Sequence, residues 1–251
     1  MKNHSMTVSN SSESERLSIR TLGWAAITLE FGPPCDEPAP DPERVAIKLE
    51  TRTTEALLLY LACQGRPLGR DVLAELLWPE RTQQQARANL RVAIHRLRQQ
   101  LDPYLLVTRQ SVALNMAARI DLDVADFEKF LSAGQLEPAT AIYRGDFLNG
   151  FYLDDSPDFE QWALLERERL RTLAIAAWQQ LIEQKTGDSQ LSAAISGARR
   201  LLQLDPLHEP THRRLMRLLV QTDQRSAALE QYETCRRLLA AMLDIAPDQV
   251  T

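Results

Sequence analysis

The stretch that decides the fold covers residues 81–101, RTQQQARANLRVAIHRLRQQL, and it has the pattern of an amphipathic helix. Leu90, Ile94, Leu97 and Leu101 recur at heptad spacing, which places them on one helix face. The stretch contains several arginines but no Asp or Glu, although the whole chain has a formal net charge of -5. It therefore predicts a basic helix with one apolar face against a core and one polar face toward solvent.

The polar face of this predicted helix carries amides, guanidinium groups and small apolar groups, which are the groups that read base edges in a major groove. Val92 suits a thymine methyl group and Arg91 suits a guanine. A solvated surface helix has a similar charge pattern, so the flanking sequence has to decide between the two interpretations. By helical-wheel position, the base-edge candidates are Gln84, Gln85, Asn89, Arg91, Val92 and His95.

Length, charge and cysteine content restrict the class of protein. A chain of 251 residues has room for one large or two ordinary domains. It has no apolar run long enough to span a bilayer, and its polar start is no secretory signal, so we expect no membrane partner. Cys35, Cys63 and Cys235 are far apart and odd in number, which predicts a reduced, cytoplasmic compartment. Basic and acidic residues balance at 15 each over residues 16–130, so the acid partners of the basic helix must lie elsewhere in that half.

The elements around the basic helix follow a recognisable order. Residues 1–15 are polar and predict a disordered tail. Strands are predicted within 17–31 and over 45–50, on either side of a Pro-rich loop. Helices are predicted over 51–64 and 71–78, and a hairpin with its tip at 109–111 follows the basic helix. Strands, three helices and a hairpin, with the third helix basic, make up the layout of a winged helix.

The second half of the chain predicts helices almost throughout. Leu181 and Leu215, and Ala194 and Ala228, are separated by 34 residues, which is the tetratricopeptide period. The pairs Ala193/Ala227 and Ile195/Leu229 have the same spacing. The predicted helices cover 122–134, 136–144, 158–185, 190–204, 209–222 and 226–243.

A family resemblance covers most of the chain. Residues 17–130 resemble the OmpR-type winged-helix domain of the Streptomyces antibiotic regulatory proteins, and the later residues resemble the bacterial transcriptional activation domain that follows it there. The family normally has a Gly-Tyr pair in the wing where this chain has Val112-Ala113, which puts the contacts of the wing in question. The residues that carry the resemblance include GRPLGRDVL at 65–73, LLW at 76–78, ANL at 88–90, HRLR at 95–98, YRGDFL at 143–148, DFEQW at 158–162, ERERL at 166–170 and YETCRRLL at 232–239.

The resemblance and the patterns together predict a mainly α protein, with a winged helix-turn-helix (α+β) at 16–120 and an all-α, tetratricopeptide-like activation domain at 121–251. The expected function is sequence-specific activation of transcription, with residues 84–101 in the major groove of double-stranded promoter DNA. The resemblance implies that the helical domain supports dimerisation, contact with RNA polymerase, or both, and we expect a homodimer on DNA. The phosphate-contact candidates are Arg52, Arg70, Arg96, Arg98 and Arg109.

Two other interpretations are open at this stage. In the first alternative, the chain is an interaction scaffold with a degenerate DNA-binding domain, and the altered wing is its best support. In the second, the chain is the first part of a larger regulator with an ATPase beyond Thr251. Salt-dependent binding to duplex DNA separates the first from the main interpretation, and the length of the reading frame tests the second.

Two motifs suggest other chemistry and are interpreted differently. His208-Glu209-Pro210-Thr211-His212 matches the zinc-hydrolase pattern literally, but no third ligand is evident and we interpret it as the polar first turn of a repeat helix. The acidic residues Asp154, Asp155, Asp158 and Glu160 are interpreted as charges that complement a helix dipole. We therefore expect no enzymatic activity, no metal site and no cofactor.

Overall fold

The computed structural model describes residues 15–31 and 43–248. The described chain divides into two compact units. The first contains the residues up to Asp126 together with Leu148–Leu164, and the second contains Phe127–Phe147 and the residues from Leu165 onward. The chain thus enters the second unit, returns to the first and then enters the second again. A single boundary at residue 120 does not describe this path. The predicted limits 16–120 and 121–251 stay a prediction.

The first unit combines two small sheets with three helices in the order predicted. The predicted tail lies outside the described residues except for Glu15, which starts the first strand, and the Pro-rich loop also lies outside them except for Glu43. The elements are β1 (Glu15–Arg20), β2 (Ala26–Phe31), β3 (Glu43–Ala46), α1 (Arg52–Gln64), β4 (Leu68–Gly69), α2 (Arg70–Leu77), α3 (Gln83–Leu101), a 3-10 turn (Asp102–Tyr104), β5 (Leu105–Val107), β6 (Ser111–Leu114) and β7 (Ile120–Leu122).

The strands form two sheets with different roles. The first has the order β3-β2-β1-β7, with β1 antiparallel to β2 and parallel to β7. Leu17 and Ile19, which alternate along β1 and so share one face of the strand, are fully buried. The second sheet has the order β4-β6-β5, and its β5–β6 hairpin is the wing. The predicted hairpin is thereby confirmed.

Short strands account for the errors in the sequence-based assignment. The prediction of a strand over 45–50 was wrong in its limits, because β3 ends at Ala46 and its register against β2 sets that limit. No strand is predicted between the helices at 51–64 and 71–78, and a helix is predicted from residue 122, whereas the structure has β4 and β7 at these places. Strands of two and three residues show no periodicity, and their partners are far away in the sequence.

The carboxylate of Asp123 fixes the end of β7 to the end of β1. It accepts hydrogen bonds from the Thr21 backbone N–H at 2.8 Å, from the Thr21 hydroxyl at 2.8 Å and from the Leu22 N–H at 2.8 Å. Thr21 is fully buried, so these donors have no access to water. One side chain thus closes the first sheet across about a hundred residues of sequence.

The three helices pack their apolar faces into one core. In α1, Thr51 caps the first turn and Gly65 ends the helix in the left-handed conformation, as the sequence predicts. Leu57, Leu59 and Leu61 of this helix are fully buried. In α3, the predicted apolar face is confirmed, since Leu90, Ile94, Leu97 and Leu101 are all buried.

The second unit is helical, and its later helices form the predicted repeats. Leu181 and Leu215, and Ala194 and Ala228, are buried in equivalent places, so the 34-residue period is structural. Ile195 is 5% exposed but Leu229 is 70% exposed, because Leu229 lies on a side of its helix that no described element covers. The helices from residue 123 onward are α4 (Asp123–Ser132), α5 (Leu136–Ile142), α6 (Pro157–Gly187), α7 (Leu191–Leu204), α8 (Glu209–Gln221) and α9 (Arg225–Leu243), of which α4 and α6 begin in the first unit. The described residues include no helix long and apolar enough to cross a membrane.

Candidate nucleic-acid interface

The N-terminus of α3 is fixed by a capping box. The Thr82 hydroxyl accepts from the Gln85 N–H at 3.4 Å, and the Gln85 side-chain oxygen accepts from the Thr82 N–H at 3.2 Å. Gln85 therefore has a structural role at the position where the sequence predicts a base contact. Its amide NH₂ group is not used by the capping box.

The polar face of α3 is open to solvent over most of its length. Gln84, Gln85, Arg91 and His95 are exposed, and the Val92 side chain is 50% exposed. Asn89 is half-buried at one edge of this face. The His95 ring contacts the Gln99 amide at 3.2 Å, so the two side chains form a polar pair on the face. The predicted base-edge candidates thus share one accessible surface, and their role in binding stays a prediction.

One flank of α3 forms a groove with the wing and the start of α2. The groove has a volume of about 520 Å³, and Arg70, Arg87, Arg91 and Arg109 are among its lining residues. The Arg70 N–H donates to Gln110 O at 3.0 Å, which ties the wing tip to α2. Arg70 Nε is buried and has no hydrogen-bond partner in the described part of the chain. The groove therefore concentrates positive charge, which suits an anionic ligand.

Asp71 supplies the negative charge in this groove. It forms a bidentate pair with Arg87, with Arg87 Nε at 2.7 Å from Oδ1 and Nη2 at 2.8 Å from Oδ2. The hydrogen bonds from Arg87 lower the pKa of Asp71 below its ordinary value. The same pair raises the pKa of Arg87. Asp71 thus keeps its negative charge and fixes the orientation of the Arg87 guanidinium.

Ion pairs occupy other arginines of the basic stretch. Arg96 Nε lies 2.8 Å from Glu50 Oε2, and Arg98 Nε lies 2.6 Å from Asp102 Oδ1. Arg91 Nε donates to its own helix, to Arg87 O at 3.3 Å. Two of the predicted phosphate contacts, Arg96 and Arg98, are therefore neutralised locally. The sequence predicts that the acidic residues of this half lie away from the basic stretch, and the ion pairs show that this separation is only partial.

The remaining phosphate candidates differ in their surroundings. Arg109 is exposed at the wing tip, where no acidic side chain of the described residues pairs with it. Arg52 donates from Nη2 to Gly150 O at 3.0 Å, and its guanidinium carbon lies 5.0 Å from the centre of the Phe151 ring. Val112 and Ala113, which replace the Gly-Tyr pair of the family, are buried in β6. Neither side chain is therefore exposed on the surface of the wing.

The sequence missed two parts of this surface. Arg87 was not among the predicted site residues, because the helical wheel places it nearer the apolar face of α3 than the polar face. Its side chain is long enough for the guanidinium to reach the groove. The segment 148–156 was missed because it is distant in sequence and its contacts are tertiary. Only the Arg98–Asp102 pair, with its i,i+4 spacing, had a local signal.

The zinc-like motif has a structural role. The His208 ring contacts the Thr211 hydroxyl at 2.8 Å and caps α8, as the interpretation of a polar first helical turn predicts. His212 is buried, with its ring nitrogens at 2.9 Å from Pro206 O and 2.6 Å from the Gln231 amide nitrogen. Within the described ranges, no cluster of His, Cys, Asp and Glu could hold a metal ion.

Comparison with known proteins agrees with this architecture. The model of the bacterial transcriptional activator domain matches residues 113–251. The regulatory protein AfsR of Streptomyces coelicolor is 30% identical over 202 residues, which cover 76% of this chain and 20% of AfsR. The chain therefore spans about a fifth of the length of this curated relative.

A solved structure has the same fold. EmbR of Mycobacterium tuberculosis, in complex with a low affinity phosphopeptide, superimposes with a TM-score of 0.62 at 23% identity. The likeness covers 94% of this chain and 63% of that chain, and it confirms a winged helix followed by a tetratricopeptide-like helical domain. With the family model matching more than half of its residues, the chain belongs to the bacterial transcriptional activator domain family, a family of transcriptional regulators and not of enzymes.

Proposed function

We propose that this chain binds double-stranded promoter DNA and activates transcription, with residues 84–101 in the major groove. The observation that carries the proposal is the exposed polar face of α3, which adjoins an arginine-lined groove beneath the wing. Side chains at the centre of the face meet base edges, and those of the groove meet the phosphate backbone.

The phosphate candidates contribute unequally under this proposal. Arg70 and Arg109 line the groove and have no acidic partner among the described side chains, so they contribute most. Arg96 and Arg98 exchange an existing ion pair for a phosphate and gain less. Arg52 already has a carbonyl and an aromatic ring as partners.

Binding is tested by fluorescence anisotropy with duplex fragments of the protein's own upstream region, at two salt concentrations. Wild type is compared with Arg91→Ala/Arg109→Ala and with the matched control Arg199→Ala/Arg217→Ala, which removes the same charge from exposed positions of the second unit. We expect salt-sensitive binding that drops in the first variant alone. No binding by the folded wild type at low salt would contradict the proposal and favour the interaction scaffold.

Base reading is tested separately from phosphate binding. Val92→Ala shortens an exposed apolar side chain without changing charge, so we expect a changed sequence preference and unchanged affinity for random DNA. Arg109→Ala should weaken binding to every sequence by a similar factor. An identical profile for the two variants would contradict the placement of α3 in the major groove.

Dimerisation and contact with RNA polymerase are further parts of the proposal, and their support is the family resemblance. A single small module binds weakly at physiological salt, so we expect two protomers on paired half-sites. Sedimentation with a duplex that contains one or two half-sites measures the stoichiometry. Because the chain spans a fifth of AfsR, a place within a larger regulator is still an open alternative, and the activities of the longer relative are not carried over.

A further inference from the structure

The segment 148–156, called the strap below, lies against the winged helix although it is far from it in sequence. The Leu148 N–H donates to Thr21 O at 2.8 Å, and the Asn149 N–H donates to Gly23 O at 2.9 Å. At the other end, the buried Ser156 hydroxyl donates to Leu77 O at 2.9 Å. Hydrogen bonds to the β1–β2 connection and to the end of α2 therefore hold both ends of the strap.

The middle of the strap holds Arg52, one of the predicted phosphate contacts. Gly150 O accepts a hydrogen bond from Arg52, and Phe151 presents its ring to the same guanidinium. A cation held by a carbonyl and an aromatic face has fewer donors available for a phosphate. The strap thus reduces the availability of one of the candidate phosphate contacts.

The strap also brings two carboxylates to the edge of α3. Asp154 and Asp155 are exposed in a turn, and they line a cavity of about 570 Å³ together with Arg52, Arg81 and Asn89. Arg81 and Asn89 belong to the basic stretch and its polar face. The cavity therefore places negative charge beside residues that the proposed function assigns to DNA.

We infer that the strap weakens DNA binding electrostatically, because it holds Arg52 and because the carboxylates of Asp154 and Asp155 repel phosphate. This weakening effect is called the brake below. The inference rests on the proposed function. A phosphate backbone that approaches this edge of α3 meets two negative charges within a Debye length, which is about 8–10 Å at physiological salt. Complementing the dipole of α6 does not require these two residues, because Asp158 and Glu160 occupy its first turn.

The brake is tested with the full chain and a duplex of random sequence. In Asp154→Asn/Asp155→Asn, the loss of two carboxylates should tighten binding by about threefold to tenfold at low salt. The gain should disappear near 1 M salt, where the Debye length is about 3 Å. The matched control is Asp223→Asn/Asp244→Asn, which makes the same change in net charge at exposed positions whose positive φ suits Asn.

Every outcome of this comparison either supports or overturns the brake. Tighter, salt-sensitive binding in the strap variant but not in the control supports the brake. Equal affinity of wild type and strap variant, an equal gain in the control, or weaker binding in the strap variant overturns it while the proposed function stands. No binding by either protein at low salt overturns both inferences.

Discussion

At the scale of single residues, Gln85 combines two functions whose requirements differ. Its side-chain oxygen completes the capping box of α3, and its exposed position places it on the predicted DNA-reading face. A carboxylate keeps the acceptor that the capping box needs and adds favourable charge at the helix N-terminus. The same carboxylate repels phosphate, so stability and DNA binding should separate at this residue.

We therefore expect Gln85→Glu to leave the free energy of unfolding within about 0.5 kcal/mol of wild type, or to raise it. Affinity for duplex DNA should fall at low salt, because the new charge lies on the binding face. Urea unfolding followed by circular dichroism and anisotropy titration measure the two effects. Gln99→Glu is the control near the other end of α3, and a loss of stability in Gln85→Glu alone would contradict the role of the capping box.

A second residue-scale prediction concerns the Asp71–Arg87 pair. Hydrogen bonds from Arg87 lower the pKa of Asp71, so the carboxylate should titrate below its ordinary value of about 3.9. Since the folded-state pKa is below the unfolded one, the pair stabilises the fold above the unfolded value. This contribution is lost as the pH falls through the folded value. Carbon-13 NMR titration measures the shift, and Arg87→Gln should return Asp71 to the ordinary range.

At the scale of elements, the docking of the strap depends on Gly150. This residue has φ +72°, and an added Cβ would lie 2.4 Å from the Trp24 ring. Gly65, with φ +60°, has open space around the same position, so it serves as the control. The two glycines share a backbone requirement but differ in their surroundings.

We expect Gly65→Ala to cost about 1 kcal/mol, from backbone conformation alone. Gly150→Ala should cost up to about 1 kcal/mol more, because the Trp24 ring, which is largely exposed, has to move. Trp24→Ala in the Gly150→Ala background should recover the difference, which urea unfolding monitored by circular dichroism measures. Equal costs for the two glycines would show that the strap does not pack against Trp24.

At the scale of the whole molecule, electrostatics depends on local pairing more than on net charge. The chain has a net charge of -5, yet the groove beneath the wing concentrates arginines. Glu50, Asp71 and Asp102 neutralise part of the basic stretch through ion pairs. The number of phosphate contacts should therefore be smaller than the number of arginines in that stretch and on the wing.

We therefore expect a slope of about −3 to −4 per protomer for the logarithm of the binding constant against the logarithm of salt concentration, at about −0.9 per phosphate contacted. The slope is measured by anisotropy from low to moderate salt with a duplex that contains one half-site. Asp71→Asn should not make it shallower, since no cation is removed. A slope steeper than about −6 would mean that the ion-paired arginines also contact phosphate.

The sequence by itself determined the elements that carry their own periodicity or capping signals. The apolar face of α3, the caps of α1, the wing hairpin and the 34-residue repeat were all predictable, because each depends on residues a few positions apart or on a regular spacing. Gly65 and Thr51 are examples whose local chemistry fixes the boundary of a helix.

Only the tertiary structure decided which charges on α3 remain available and what lies beside them. Glu50, which precedes α1, and Asp71 of α2 pair with arginines of α3, and the strap returns to the first unit from beyond Phe147. β7 likewise depends on a partner strand about a hundred residues away. These contacts join residues that are remote in sequence, so their energies depend on distances in the fold, which no local pattern encodes.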